Sequence, residues 1–189
     1  WMSGVSDDEA SLAGMTDEYD AAIEASLQWA IRHRINDMQL EQAPAAIVII
    51  GMGRYGGREV NFSSDADVII IYRPAEGADD TQANLFARKV QEDLRAILQG
   101  PTTFEPKIEL DMDLRPEGKN GPLVRSYASC EEYYRSWAST WEHQALLRAR
   151  YAAGDAALAE DFLMTIADPL RYPNIDLTES LIAQIRKHK

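Results

Sequence analysis

Residues 45–72 read AAIVIIGMGRYGGREVNFSSDADVIIIY: two apolar runs joined by a loop that holds four glycines, two serines and two aspartates. Both runs are rich in Ile and Val, lack polar alternation and lie between Pro44 and Pro74, the pattern of strands covered on both faces of a sheet. Their junction then falls at a sheet edge, where functional groups collect. Asp65 and Asp67 open the second run at a spacing of two, which in an extended chain directs both carboxylates to one side. Such a pair suits a divalent cation.

Gly51, Gly53 and Gly56 spell G-x-G-x-x-G after a strand, the dinucleotide-binding fingerprint. That reading needs a helix crossing back over the sheet, and a parallel crossover takes roughly a dozen residues or more. Only a handful separate Gly57 from Asp65, so the two strands are antiparallel neighbours and the fingerprint fails. A P-loop fails as well, because Gly57 stands where its lysine belongs.

Working outward, residues 1–15 are small, polar and acidic and read as a loose leader. Thr16 can cap a helix ending before Pro44, with Asp17 and Glu18 in its first turn and Ile23, Leu27, Ile31, Ile35 and Met38 as its apolar stripe. A second helix is expected over 81–99, with Phe86, Val90, Leu94, Ile97 and Leu98 facing the core and Gly100-Pro101 closing it. Residues 107–115, KIELDMDLR, alternate strictly, which predicts a strand with Glu109, Asp111, Asp113 and Arg115 on its wet face. Leu123 and Val124 offer a further short strand. Ser129 can cap a long helix whose stripe includes Tyr134, Trp137, Trp141, Ala145 and Arg148; on that stripe the two tryptophans read as core rather than as base-stacking groups. Gly154 punctuates it, a short helix follows over 155–167, and a last one starts near Thr178.

At 189 residues, the chain can bury one domain plus an extra helical piece. Its net charge of −12 argues against a nucleic-acid surface. The single cysteine, Cys130, excludes internal disulfides and cysteine-based zinc sites and suits a reducing cytoplasm; near a helix start its pKa can fall, although a lone cysteine is usually a small buried residue. No apolar run approaches the ~18 residues of a membrane span. The chain starts at Trp1 with no initiator Met or signal-like segment, which reads as a piece of a longer protein.

A glycine turn, two serines, a D-x-D pair and a later strand with acids on its wet face are the parts of a metal-dependent nucleotidyl transferase. Gly56 and Gly57 allow close backbone approach to a triphosphate, and Ser63 and Ser64 can donate to its oxygens. Asp65, Asp67 and one acid of the later strand can hold two Mg²⁺ ions. Two carboxylates ~4 Å apart repel by about 1 kcal/mol in water and about 4 kcal/mol at an effective dielectric of 20, so clustered acids call for cations.

The runs GMGRYGGREVNFSSDADVIIIY, DMDLRPEGKNGPLVRS and WEHQALLRAR with Gly154-Asp155 resemble glutamine synthetase adenylyltransferase, a member of the polymerase-beta-like nucleotidyltransferase superfamily. The resemblance covers most of the chain. It implies an α+β fold, a mixed or antiparallel sheet flanked by helices, with the catalytic domain over 16–127 and a helical segment over 128–189 leading toward a further helical domain. It also implies a fragment of a bifunctional cytoplasmic enzyme: one half attaches AMP from ATP to a tyrosine of glutamine synthetase, and the other removes it by phosphorolysis. WEHQALLRAR and Leu170-Arg171-Tyr172-Pro173 favour the attaching half.

By that resemblance Asp65, Asp67 and Asp111 are the metal acids. Asp111 precedes the L-R-P-x-G segment made here by Leu114, Arg115, Pro116 and Gly118, and it doubles as candidate base; Glu109 and Asp113 are its neighbours. Arg115 and Lys119 are placed to meet the triphosphate. Glu142 and Arg148 lie in a helix implied to buttress the site, with an ion pair between turns as one means, while His143 has no matched partner. The alternatives are the deadenylylating half and a non-catalytic regulatory module that binds a PII-type signalling protein.

Overall fold

The computed structural model describes residues 4–61, 64–100 and 107–171. The fold is α+β: a five-stranded mixed sheet with helices on both faces. β1 (Ala45–Gly51) and β2 (Ala66–Pro74) are the two apolar runs, and they pair antiparallel from Ala45↔Pro74 to Gly51↔Val68, as the short connection requires. Between them lies α2 (Gly53–Gly56), a single turn.

Alternate residues of these strands feed two cores, which is why neither run shows polar alternation. Ile47, Ile49, Val68 and Ile70 pack with Ile23 and Leu27 of α1 (Gly4–Asp37) and with Phe86, Val90 and Leu94 of α3 (Asp80–Leu98). Val48, Ile50, Ile69 and Ile71 face Cys130 and Tyr134 of α4 (Tyr127–Ser136) and Leu158 and Phe162 of α6 (Ala156–Phe162).

Helix α1 starts at Gly4 rather than at Thr16, so no loose leader spans 4–15. Thr16 is buried inside the helix, and its hydroxyl donates to Leu12 O at 2.9 Å instead of capping. In α3 the cap is Asp79, which accepts from Gln82 N, and Ile97 is exposed while the rest of the expected stripe is buried.

The alternating segment over 107–115 forms only a two-residue strand, β3 (Leu110–Asp111), parallel to β2 through Ala66↔Leu110 and Asp67↔Asp111. The carboxylate of Asp111 takes the Asp113 N–H at 2.7 Å, and Arg115 N closes a turn on Met112 O, so the backbone leaves the ladder. The alternation sets burial only as far as Met112: Leu110 and Met112 are inside, but Leu114 is half-buried and Arg115, expected on the wet face, is buried because the backbone has left the strand. β4 (Val124–Ser126) pairs with the far half of β2, in parallel.

The expected long helix is two. Ser126 caps α4, and Ser139 starts α5 (Thr140–Ala145) with a capping box to Glu142. The break leaves Trp137 75% and Trp141 48% exposed, which overturns their reading as core. A further strand, β5 (Arg150–Gly154), pairs antiparallel with β1. Gly154 ends it at φ +94 with Ile47 O against its Cα, so no side chain fits there. Asp155 caps α6, a π-helical turn over Leu163–Ala167 follows, and α7 is Asp168–Arg171. The helix expected near Thr178 lies outside the described residues. No helix of the described residues is long and apolar enough to cross a membrane.

Candidate active site

The acids meet where β2 begins. Asp67 and Asp111 are register partners on β2 and β3, and Asp65 sits exposed just before the strand. Burial, and then the charge of Asp111, raise the pKa of Asp67 above the ordinary aspartate range, and Asp65 adds to the rise; the Arg54 N–H and guanidinium act against it. Asp67, half-buried between the strand end and the glycine turn, therefore senses the charge of both other carboxylates. Gly53, at φ +50, leaves no room for a Cβ because the Asp67 carboxylate lies against its Cα. The backbone around Gly53 and Arg54 is thus a cradle for that carboxylate.

A cavity of about 290 Å³ opens beside the acids, lined by Asp65, Asp111, Asp113, Arg115 and Lys119 among others. Glu109, read as a bystander, lines it too. Lys119 pairs with Asp113 at 3.0 Å. Arg115 is 7% exposed and donates to three backbone carbonyls, Gly121 O (2.9 Å), Met112 O (2.8 Å) and Lys119 O (3.0 Å). Its guanidinium spends its hydrogen bonds on folding the 112–121 loop around the acids, whereas the sequence placed it on a triphosphate.

The glycine pair has a structural duty. The Gly56 N–H bonds Met52 O and the Gly57 N–H bonds Gly53 O. A Cβ on Gly56 would run into Arg148 O and Gly51 O, and one on Gly57 would meet the Arg148 guanidinium at 2.9 Å. Ser64 is tied into its own turn, its hydroxyl donating to Asn61 Oδ1 at 2.7 Å, while Ser63 lies outside the described residues.

Glu142 ties α5 to the 112–121 loop through hydrogen bonds and forms no ion pair among the described residues. It is 3% exposed and accepts from Ser139 N (2.8 Å), Ser139 Oγ (2.7 Å), Tyr133 OH (2.7 Å) and Glu117 N (3.0 Å). Burial alone would raise its pKa, but these donors together hold it below the usual carboxylate range. Arg148 pairs instead with Glu59 at 2.6 Å, beside Gly57. His143 Nε2 lies 3.1 Å from Tyr134 O, and Cys130 is buried with its thiol pushed up to about 12.

Sequence reasoning missed the supports behind the turn. Asp20 of α1 receives Arg150 in two bonds, at 2.8 and 2.9 Å, and also the Tyr55 hydroxyl. Arg150 lies over the Tyr55 ring at 4.7 Å. Tyr19 donates to Ser64 O, and Arg58 of the loop pairs with Asp17. Residues 17, 20 and 24 recur at helical spacing, a periodic polar face on α1 that was visible in the sequence but has no apolar signature.

The family model for glutamate-ammonia ligase adenylyltransferase matches residues 2–165. The chain belongs to that family. It is 75% identical over its full length to a protein of Bifidobacterium longum (strain DJO10A) and covers 18% of that protein; it is 45% identical over 177 residues, 93% of this chain, to one of Mycobacterium avium (strain 104), again covering 18%. A relative from Mycobacterium tuberculosis (strain ATCC 25618 / H37Rv) is 45% identical over 175 residues. All three are named bifunctional glutamine synthetase adenylyltransferase/adenylyl-removing enzyme. This member of the adenylyltransferase family thus spans about 18% of the length of the first two relatives.

The acids also have to suit a metal. Among the described residues no group of three His, Cys, Asp or Glu side chains is gathered into a ready-made metal cage. Mg²⁺ usually takes one or two carboxylates plus substrate phosphates and water, and burial together with the like charge of Asp111 at Asp67 marks a hard oxygen donor short of a countercharge. The donor set fits Mg²⁺ completed by a bound nucleotide.

Proposed function

We propose that this chain is the nucleotidyl-transfer module that moves AMP from ATP to a tyrosine of glutamine synthetase. The observation that supports the reading is the register pairing of Asp67 with Asp111, with Asp65 on the same cavity as Asp111 and the Asp67 carboxyl raised by burial first and then by the charges of Asp111 and Asp65. Asp65, Asp67 and Asp111 would hold two Mg²⁺ ions, whose charge would neutralise the triphosphate and polarise its α-phosphate.

The chain's own groups do the rest. Asp111 accepts the proton of the tyrosine hydroxyl, whose ordinary pKa of about 10 keeps it protonated at neutral pH. The phenol oxygen bonds the α-phosphorus as the bond to the bridging oxygen breaks, and pyrophosphate leaves. Lys119, 80% exposed at the cavity rim and paired with Asp113 on the surface, can exchange that partner for the leaving phosphates. Arg115 acts through the loop it folds.

The relatives' name covers removal of the adenylyl group as well, so phosphorolysis on the same acids is the second reading. One experiment separates them: incubation with Mg²⁺ and either ATP labelled on the α-phosphate plus unmodified glutamine synthetase, or orthophosphate plus adenylylated glutamine synthetase. Label transfer that falls at least a hundredfold in Asp65→Asn supports the first reading, equivalent to about 2.7 kcal/mol of barrier. Release of ADP without label transfer supports the second, and transfer that survives the substitution refutes the metal-acid mechanism.

A further inference from the structure

A second cavity, of about 690 Å³, lies between α3 and the 121–124 segment. Arg95 and Leu123 line both this cavity and the acidic one, so the two adjoin. One wall is a polar stripe at helical spacing, Asn84, Arg88, Gln91, Arg95 and Gln99, of which Arg88, Arg95 and Gln99 are exposed. Leu123, 40% exposed, stands on the opposite wall.

Two features of this wall point to an absent ligand. Gln91 is 4% exposed and lines the cavity, and its amide makes no hydrogen bond to any described residue, which leaves it available to a ligand. Arg88 and Arg95 pair with no carboxylate among the described residues, although the chain carries 31 acids against 19 Lys and Arg. Glu92 is the one acid on the lining, and it too forms no ion pair there. In a protein this acidic, two uncommitted guanidinium groups two turns apart select a ligand with carboxylates.

We propose that this cavity docks the acceptor: an extended, acidic segment of the protein substrate, its carboxylates on Arg88 and Arg95, its backbone on the Gln91 amide and an apolar side chain on Leu123. The inference rests on the transfer reading above and names where the substrate protein binds. Because Arg95 lines both cavities, a segment held on α3 lies next to the acids and can present its hydroxyl to Asp111. A nucleotide is the weaker fit, since its triphosphate belongs with the metal acids and this cavity has no carboxylate pair to hold a cation.

The test is binding of unmodified glutamine synthetase to the full chain, read by fluorescence anisotropy, beside binding of ATP with Mg²⁺ by equilibrium dialysis. Arg88 lies on the rim away from the acids, so Arg88→Glu is the informative variant, with Arg88→Lys as charge-preserving control and circular dichroism as the check on folding. The expected result is a loss of at least tenfold in affinity for glutamine synthetase in Arg88→Glu, about 1.4 kcal/mol, with less than threefold in Arg88→Lys and ATP binding unaltered. Wild-type affinity weakening with added salt belongs to the same expectation. Unchanged affinity in folded Arg88→Glu, or a loss confined to ATP, overturns the docking groove. Failure of the wild-type chain to bind glutamine synthetase at all refutes the transfer reading itself.

Discussion

Replacing Glu142 by Ala removes the knot that ties α5 to the loop over the acids. The Ser139 N–H and hydroxyl lose their acceptor, which unmakes the capping box at about 1 kcal/mol. The Glu117 N–H and Tyr133 hydroxyl lose a charged acceptor, worth about 1.5–3 kcal/mol for a bond to an ionised group. Glu117 N keeps a second acceptor in Tyr133 OH at 3.2 Å, so about 2 kcal/mol is a fair share for the loop and the whole change costs about 3 kcal/mol. For a chain of this size that lowers the thermal midpoint by roughly 6–12 °C. Thermal unfolding followed by circular dichroism at pH 7 measures it. The pH dependence supplies a second reading: the folded pKa of Glu142 lies below the unfolded value, so its stabilisation is present above the ordinary carboxylate pKa and is lost as pH falls through the folded one. The gap between wild type and variant should therefore shrink on acidification. A midpoint within 2 °C of wild type at neutral pH, on the order of 0.5 kcal/mol, refutes the argument that Glu142 holds the loop.

Other outcomes follow from single contacts. Gly56→Ala drives a Cβ into the carbonyls of Arg148 and Gly51 and should cost about 1–3 kcal/mol or more, as overpacking does; unchanged stability in a denaturant titration counts against the packing described. Trp137→Ala, at a side chain 75% exposed, should shift stability by no more than about 0.5 kcal/mol in the same titration. Cys130 should resist a thiol reagent at pH 8 while folded and react on unfolding, because burial pushes its thiol up to about 12. Asp67→Asn should raise the thermal midpoint in metal-free buffer, since it removes a charge that burial and Asp111 disfavour, and a lower midpoint there argues against strain at the acids.

The sheet's centre was legible because its cause is local. Two runs of Ile and Val with too few residues between them for a crossover can only pair antiparallel, and they do. The Asp65 and Asp67 pair was equally visible, and alternation over 107–115 correctly placed Asp111 opposite Leu110 and Met112. What alternation does not carry is where a ladder stops, which here depends on the Asp111 side chain capturing the Asp113 N–H. β5 was hidden because RYAAG has no β-branched residue; its pairing with β1 makes it a strand. The break before α5 had a signature, Ser139 three residues before Glu142, and an aromatic stripe masked it. Arg115 and the Asp20–Arg150–Tyr55 support were out of reach, since residues distant in sequence meet only in the fold.

The central claim is that Asp65, Asp67 and Asp111 form one cation site completed by nucleotide. Mn²⁺ binding in the presence of ATP, followed by electron paramagnetic resonance for the wild-type chain and for Asp65→Asn, Asp67→Asn and Asp111→Asn, tests it most directly. The account predicts that each substitution alone weakens protein-held Mn²⁺ at least tenfold, about 1.4 kcal/mol. Wild-type binding in any one of the three would contradict it.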